Sequence, residues 1–266
     1  MNQPVIERSV LTIAGSDSCG GAGIQADLNT FAAFGVYGAS VVTAVTARNT
    51  LGVQALEPVA DRMIVAQMES VLADLPIRAI KIGMLPSVAA IAILGQRLAE
   101  QEKTVPMVVD PVVVEPEERQ LSSDTHLEAI RNHLFPLAAV ITPNLAEARG
   151  LTGLPIGNMQ QMEAAAKSLL GTGARAVFLK GGRFDGPEIT DILLTGDGIT
   201  TYTHRAYAGR FHGTGCALSS AVAAGLALGK KLPEAVQDAV DYVQACLENS
   251  LAPVSGRLAL LGHKPR

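Results

Sequence analysis

The chain has 266 residues, 48% of them hydrophobic and 17% charged, with a net charge of −4; this suits one large soluble domain or two small ones and leaves no basic footprint for nucleic acid or an acidic membrane. Three cysteines, Cys19, Cys216 and Cys246, lie far apart without metal-ligand spacing, a count that fits a reducing compartment rather than a disulfide framework. The N-terminus carries Glu7 and Arg8 where a signal peptide would be apolar, and the longest apolar runs are cut well short of a membrane span, so a cytoplasmic location is expected.

In chain order, Val10–Ala14 is a short apolar run that predicts a buried strand. It leads through the glycine-rich Gly15–Gly23 into a helix over Ile24–Phe34. This loop is neither G-x-G-x-x-G nor a P-loop, so it gives a close approach of backbone to a ligand, or only a tight turn, without a nucleotide motif. Ser40–Thr46 predicts a second strand, Asp61–Leu75 a helix, and Ala79–Met84 a strand. A helix then runs from the N-cap Ser87 to about Glu100. Pro106–Asp110 predicts a strand, Glu115–Gln120 a surface loop, Ser123–Leu134 a helix, and Ala138–Ile141 a strand running into Asn144. Met159–Leu170 reads as a helix and Ala176–Lys180 as a strand, with Ile189–Thr195 and Ile199–His204 as an antiparallel hairpin. Two long helices follow, Gly213–Leu228 and Pro233–Asn249. Strands alternating with helices predict a single three-layer α/β domain, a mostly parallel central sheet with helices on both faces.

In such sheets ligands bind outside the carboxyl ends of the strands. The unusual residues share that address: the Gly15 loop, Arg48, Met84, Asp110, Asn144 and Lys180. The stretch His212-Gly213-Thr214-Gly215-Cys216 opens a helix with small residues, whose free amides and dipole favour an anion or a developing negative charge. Cys216 would feel that field and ionise more easily than a free thiol; otherwise it is a small core residue. Asn144 and Glu147 form N-x-x-E, either a capping box or a carboxylate beside a hydrated Mg²⁺. Asp110 either holds a cation or caps the loop before Pro111, and Lys180 either neutralises phosphate or is a solvated strand end. Asp27 lies where a helix dipole favours a carboxylate anyway. His212, Cys19 and Cys246 read as structural. An anion-binding helix start, acidic groups for a divalent cation and a nearby Lys together describe phosphoryl transfer.

The segments Ala14–Leu28, Lys81–Leu85, Thr142–Asn144 and His212–Cys216 strongly resemble the hydroxymethylpyrimidine/phosphomethylpyrimidine kinases of thiamine biosynthesis, within the ribokinase-like superfamily. The resemblance implies an ATP- and Mg²⁺-dependent kinase, a homodimer by analogy with its relatives, acting on 4-amino-5-hydroxymethyl-2-methylpyrimidine and then on its monophosphate. It assigns Cys216 as base and the amides of Gly213, Thr214, Gly215 and Cys216 to the transferring phosphoryl group. Asp27, Met84 and Val112 would line the pyrimidine pocket. Asp110 and Glu147 would organise Mg²⁺, while Asn144 and Lys180 would meet the ATP phosphates. The chain departs from the family pattern at Arg48, where a Gln is usual, in the acidic loop Val113–Glu118, and in its tail Gly262–Arg266. A guanidinium only donates where a Gln amide also accepts, so Arg48 bears on which ring is chosen. A pyridoxal or pyridoxine kinase, or a pyrimidine-binding homologue without catalysis, are the other readings.

Overall fold

The computed structural model describes residues 7–101, 105–112, 124–184, 186–253 and 257–264. Strand β1 (Ser9–Asp17) is central, pairing in parallel with β2 (Tyr37–Asn49) on one side and β4 (Ile77–Ile82) on the other. The sheet continues in parallel through β5 (Met107–Val109), β6 (Val140–Ile141) and β7 (Val177–Gly182). Antiparallel strands finish both edges: β3 (Gly52–Pro58) beside β2, and β8 (Glu188–Thr195) with β9 (Gly198–Arg205) beyond β7. The nine strands run in the order β3-β2-β1-β4-β5-β6-β7-β8-β9, and a small pair, β10 (Phe211–His212) with β11 (Ala259–Leu260), stands apart.

Side chains alternate between two buried layers, which is why the central strands read as unbroken apolar runs. Leu11, Ile13, Ile80, Ile82 and Val109 pack against α2 (Asp61–Asp74), α3 (Val88–Ala99), α4 (Asp124–His133), α5 (Leu145–Thr152) and α6 (Met159–Leu170). Val10, Ala79, Val108 and Phe178 face α1 (Gly23–Ala33), α7 (Thr214–Ala227) and α8 (Leu232–Glu248) on the opposite side. The expected three-layer, mostly parallel architecture is therefore the one observed. Helix α7 is built from small buried residues, Ala217, Ala221, Ala223 and Ala224 among them. Small side chains let it lie close over β1, β4 and β5, which aims its first turn at the carboxyl edge of the sheet.

Helix α3 starts where the sequence placed its cap: the Ser87 hydroxyl accepts from the Ala90 amide at 3.0 Å. Strand β3 escaped the sequence reading because four of its seven residues are exposed and leave no apolar alternation. Its hairpin turn is held by Asn49, whose Oδ1 accepts from the Leu51 amide at 2.9 Å. The two-residue strands β10 and β11 carry no pattern to find. The expected Glu115–Gln120 loop, the departure at Val113–Glu118 and the predicted helix start at Ser123 lie outside the described residues, as does the end of the tail.

Candidate active site

The chain leaves β1 for β2 on one side and later returns to β4 on the other, so a crevice opens at the carboxyl end of β1, where strand order reverses. The glycine loop after β1 lines this crevice. Its Asp17 organises the turn, with Oδ1 accepting from the Cys19 amide and Oδ2 from the Ala22 amide, both at 2.9 Å. Oδ2 also lies 2.7 Å from Nε2 of buried His212, 195 residues away in sequence. Burial opposes the charge of Asp17, yet the His212 hydrogen bond and the loop amides outweigh it and hold its carboxyl below the usual range. Through this contact His212 ties the first glycine loop to the start of α7.

Gly213 is the N-cap of α7, with φ 86° and no capping side chain. Any Cβ there would be strained and would run into the Gly21 carbonyl. The two loops therefore touch backbone to backbone, and the first amides of α7 are not covered by a capping side chain. That exposed helix start separates two cavities. One, of about 620 Å³, is lined by Gly15, Arg48, Met84, Val112, Lys81 and Cys216. The other, of about 320 Å³, carries Asn144, Lys180, Thr214 and Gly215 at one end and an apolar wall of Val240, Val243 and Leu247 at the other.

Asp27 does not line the first cavity as expected. It is fully buried behind it, where Lys81 Nζ reaches Oδ1 at 2.9 Å and Oδ2 at 2.8 Å. The hydroxyls of Thr12 and Ser220 donate to the same carboxylate at 2.6 and 2.7 Å. The sequence singled out Asp27 of this pair and not Lys81, which is the one that lines the cavity. The signal was available: in the strand Ile77–Ile82 the exposed Arg78 is followed three residues on by Lys81, flanked by Ile80 and Ile82 on a buried stretch where an ammonium has to find a carboxylate. Burial works against the Lys81 ammonium, but Asp27 outweighs it and keeps the group cationic, its pKa above the usual range.

On the far side of α7, Asp110 Oδ1 accepts from Thr142 Oγ1 at 3.0 Å and from Lys180 Nζ at 3.2 Å. A Cβ on Gly215 would sit 3.4 Å from Lys180 Nζ and 3.6 Å from Asp110 Oδ2, so both charges flank the first turn of the helix. Asn144 and Glu147 form the capping box: Asn144 Oδ1 accepts from the Glu147 amide at 2.9 Å, and Glu147 Oε2 from the Asn144 amide at 2.8 Å. The Glu147 charge still reaches Lys180. There burial lowers the ammonium's pKa while Asp110 and then Glu147 raise it to a net increase. Among the described residues no three His, Cys, Asp or Glu side chains converge as a closed metal cage. Mg²⁺ does not require one, because it usually takes one or two carboxylates together with waters and phosphate oxygens; Asp110 and Glu147 beside Lys180 fit that demand.

The thiol itself corrects an expectation. Burial, opposed by the charge of Lys81 and reinforced by Asp27 and Asp110, leaves Cys216 pushed up to about 11. The field at the helix start does not make it a ready thiolate. It is a scarce but strong base.

A family model described as phosphomethylpyrimidine kinase matches residues 17–260. A hydroxymethylpyrimidine/phosphomethylpyrimidine kinase of Rhizobium meliloti (strain 1021) is 48% identical over 243 residues, 89% of either chain. Among solved structures, the phosphomethylpyrimidine kinase of Clostridium difficile 630 is 42% identical with a TM-score of 0.79, over 89% of this chain and 98% of that one. The Bacillus subtilis pyridoxal kinase, solved as an ADP complex, is 34% identical with a TM-score of 0.89, over 97% of this chain and 98% of its own.

Proposed function

This chain belongs to the phosphomethylpyrimidine kinase family, and from that premise we propose that it transfers the γ-phosphoryl group of ATP to 4-amino-5-hydroxymethyl-2-methylpyrimidine and then to its monophosphate. The observation that carries this reading is the start of α7, uncapped by any side chain and standing between a cavity with a thiol and a cavity with a lysine. Phosphoryl transfer asks for positioning and charge neutralisation at one point, with an acceptor on one side and a donor nucleotide on the other.

In this reading the pyrimidine enters the first cavity beside Met84, Val112 and Arg48, with its hydroxyl at Cys216. The nucleotide base lies on the apolar wall of the second cavity, and its phosphates meet Lys180 and the amides of Thr214 and Gly215. The alcohol oxygen bonds to the γ-phosphorus as the bond to ADP breaks, and the hydroxyl proton passes to the Cys216 sulfur. The α7 amides hold the charge spread over the phosphoryl oxygens. Asp110 and Glu147 would hold Mg²⁺, which supplies charge neutralisation at the phosphates. In the second round the acceptor is the phosphate oxygen of the monophosphate, already ionised near neutral pH and so in no need of a base.

The chain acts as a single kinase domain in this reading. Three unpaired cysteines support a cytoplasmic setting, and the homodimer is carried over from the family resemblance. Among the described residues no helix is long and apolar enough to cross a membrane.

The structural likeness to a pyridoxal kinase keeps a second ring in view. ADP release with MgATP should be measured against the pyrimidine alcohol, its monophosphate and pyridoxal. The pyrimidine alcohol is expected to exceed pyridoxal in kcat/KM by about tenfold or more, the scale of one lost buried hydrogen bond. A preference for pyridoxal would move the chain to that activity. Stabilisation by the pyrimidine without ADP release would make it a binding protein.

A further inference from the structure

The second cavity contains a chain of polar groups that phosphoryl transfer does not use. Asp191 on β8 is buried, and its Oδ1 accepts from the Gly181 amide at 2.6 Å. Its Oδ2 lies 3.0 Å from Nε2 of His204 on β9, and the His204 Nδ1 lies 3.0 Å from Nε2 of Gln244 on α8. Three elements thus place Asp191, His204 and Gln244 in a row on the cavity wall, beside apolar Val240 and Val243.

The direction of this chain follows from donor and acceptor arithmetic. The carboxylate accepts, so the His204 Nε2 carries a proton and donates to it. In neutral His204 the Nδ1 is then an acceptor, which takes the Gln244 NH₂. That leaves the Gln244 carbonyl oxygen for the cavity that Gln244 lines. We propose that Gln244, oriented by His204 and Asp191, reads the exocyclic group at C6 of the bound purine and selects a 6-amino base over a 6-oxo base. An amide carbonyl accepts from an amine and leaves a 6-oxo oxygen facing another oxygen. Loss of a buried hydrogen bond of this kind is a strong discriminator.

The same arithmetic makes the selection reversible. When His204 gains its second proton both ring nitrogens donate, so the Gln244 amide turns its carbonyl to Nδ1 and its NH₂ to the cavity. Asp191 on β8 faces the imidazole, Arg205 adjoins it on β9, and Lys180 at the end of β7 and Gln244 on α8 line the same cavity; Tyr207, farther along, is bonded to Glu248. Burial lowers the pKa of His204, but Asp191 outweighs it and holds the imidazole above its ordinary value. Preference for the 6-amino base therefore belongs to the higher pH and fades as pH falls.

This inference rests on the kinase reading, and ADP against IDP tests it, since the two differ in the exocyclic group at C6 and in the proton that the 6-oxo form carries on N1. Calorimetric titration of the wild-type protein with each, in Mg²⁺, is expected to favour ADP by about tenfold at pH 8 and by severalfold less at pH 6. Gln244→Leu is expected to remove both the preference and its pH dependence while ADP still binds. Equal binding of ADP and IDP at both pH values, or a preference that Gln244→Leu leaves intact, overturns the inference and spares the kinase reading. Failure of both nucleotides to bind overturns the inference and the kinase reading together.

Discussion

Cys216→Ala is expected to slow phosphorylation of the pyrimidine alcohol by about 10²- to 10⁴-fold, the usual worth of a positioned proton acceptor. The fold should be retained, because the thiol is partly exposed at the cavity and Ala fits the small-residue face of α7. Transfer to the monophosphate should fall far less, since its attacking oxygen is already ionised. The raised thiol pKa adds a sign. With a value of about 11, only about one molecule in ten thousand carries the thiolate at pH 7. The rate on the alcohol should therefore climb about tenfold per pH unit above neutrality, and the variant should lose that slope. Equal losses on both substrates, or a wild-type rate flat from pH 7 to 9, would take the proton transfer away from Cys216.

Breaking the buried pair behind it should have the largest effect on stability. Asp27→Ala leaves the Lys81 ammonium buried and without its carboxylate, a situation that costs about 3–5 kcal/mol. For a chain of this length that corresponds to a Tm lower by roughly 10 °C, measurable by calorimetry. The double variant Asp27→Asn with Lys81→Met removes both charges and should recover most of the loss, because a neutral pair of similar shape needs no ionic compensation. It should not recover the rate on the alcohol: the Lys81 charge favours the thiolate, and Asp27 and Asp110 oppose it. A double variant as unstable as Asp27→Ala would show that shape rather than charge holds this cluster. A fully active double variant would show that the opposed charges of Lys81 and Asp27 cancel at the thiol.

The central sheet was legible because it is buried on both faces, so Val10–Ala14 and Pro106–Asp110 announce themselves by composition. Ser87 and Asn144 were legible because a cap needs one side chain at one position. The exposed strand β3 obeys no such pattern. Within the site, the start of α7 could be read from Gly213 and Gly215, whose absence of side chain is itself the function. The roles of Asp27 and Lys81 could not be told apart in the same way. Both carry charge, they lie 54 residues apart, and only the packing of α1 on β1, the neighbour of β4, decides which of the two meets the cavity. Cys216 shows a different limit. A helix start favours a thiolate in general, but here burial and two neighbouring carboxylates act the other way, and local sequence says nothing about either. Glu147 is a milder case: N-x-x-E encodes the capping box, and its reach to Lys180 comes from tertiary placement.

The central claim is that the first turn of α7 holds the phosphoryl group while it crosses between the two cavities. A crystal structure with the pyrimidine alcohol and a non-hydrolysable ATP analogue tests it most directly. The account predicts the hydroxyl against the Cys216 sulfur in the cavity floored by Lys81, and the γ-phosphate on the amides of Thr214 to Cys216 beside Lys180. An alcohol seated away from Cys216, or nucleotide phosphates that do not touch the start of α7, would contradict it.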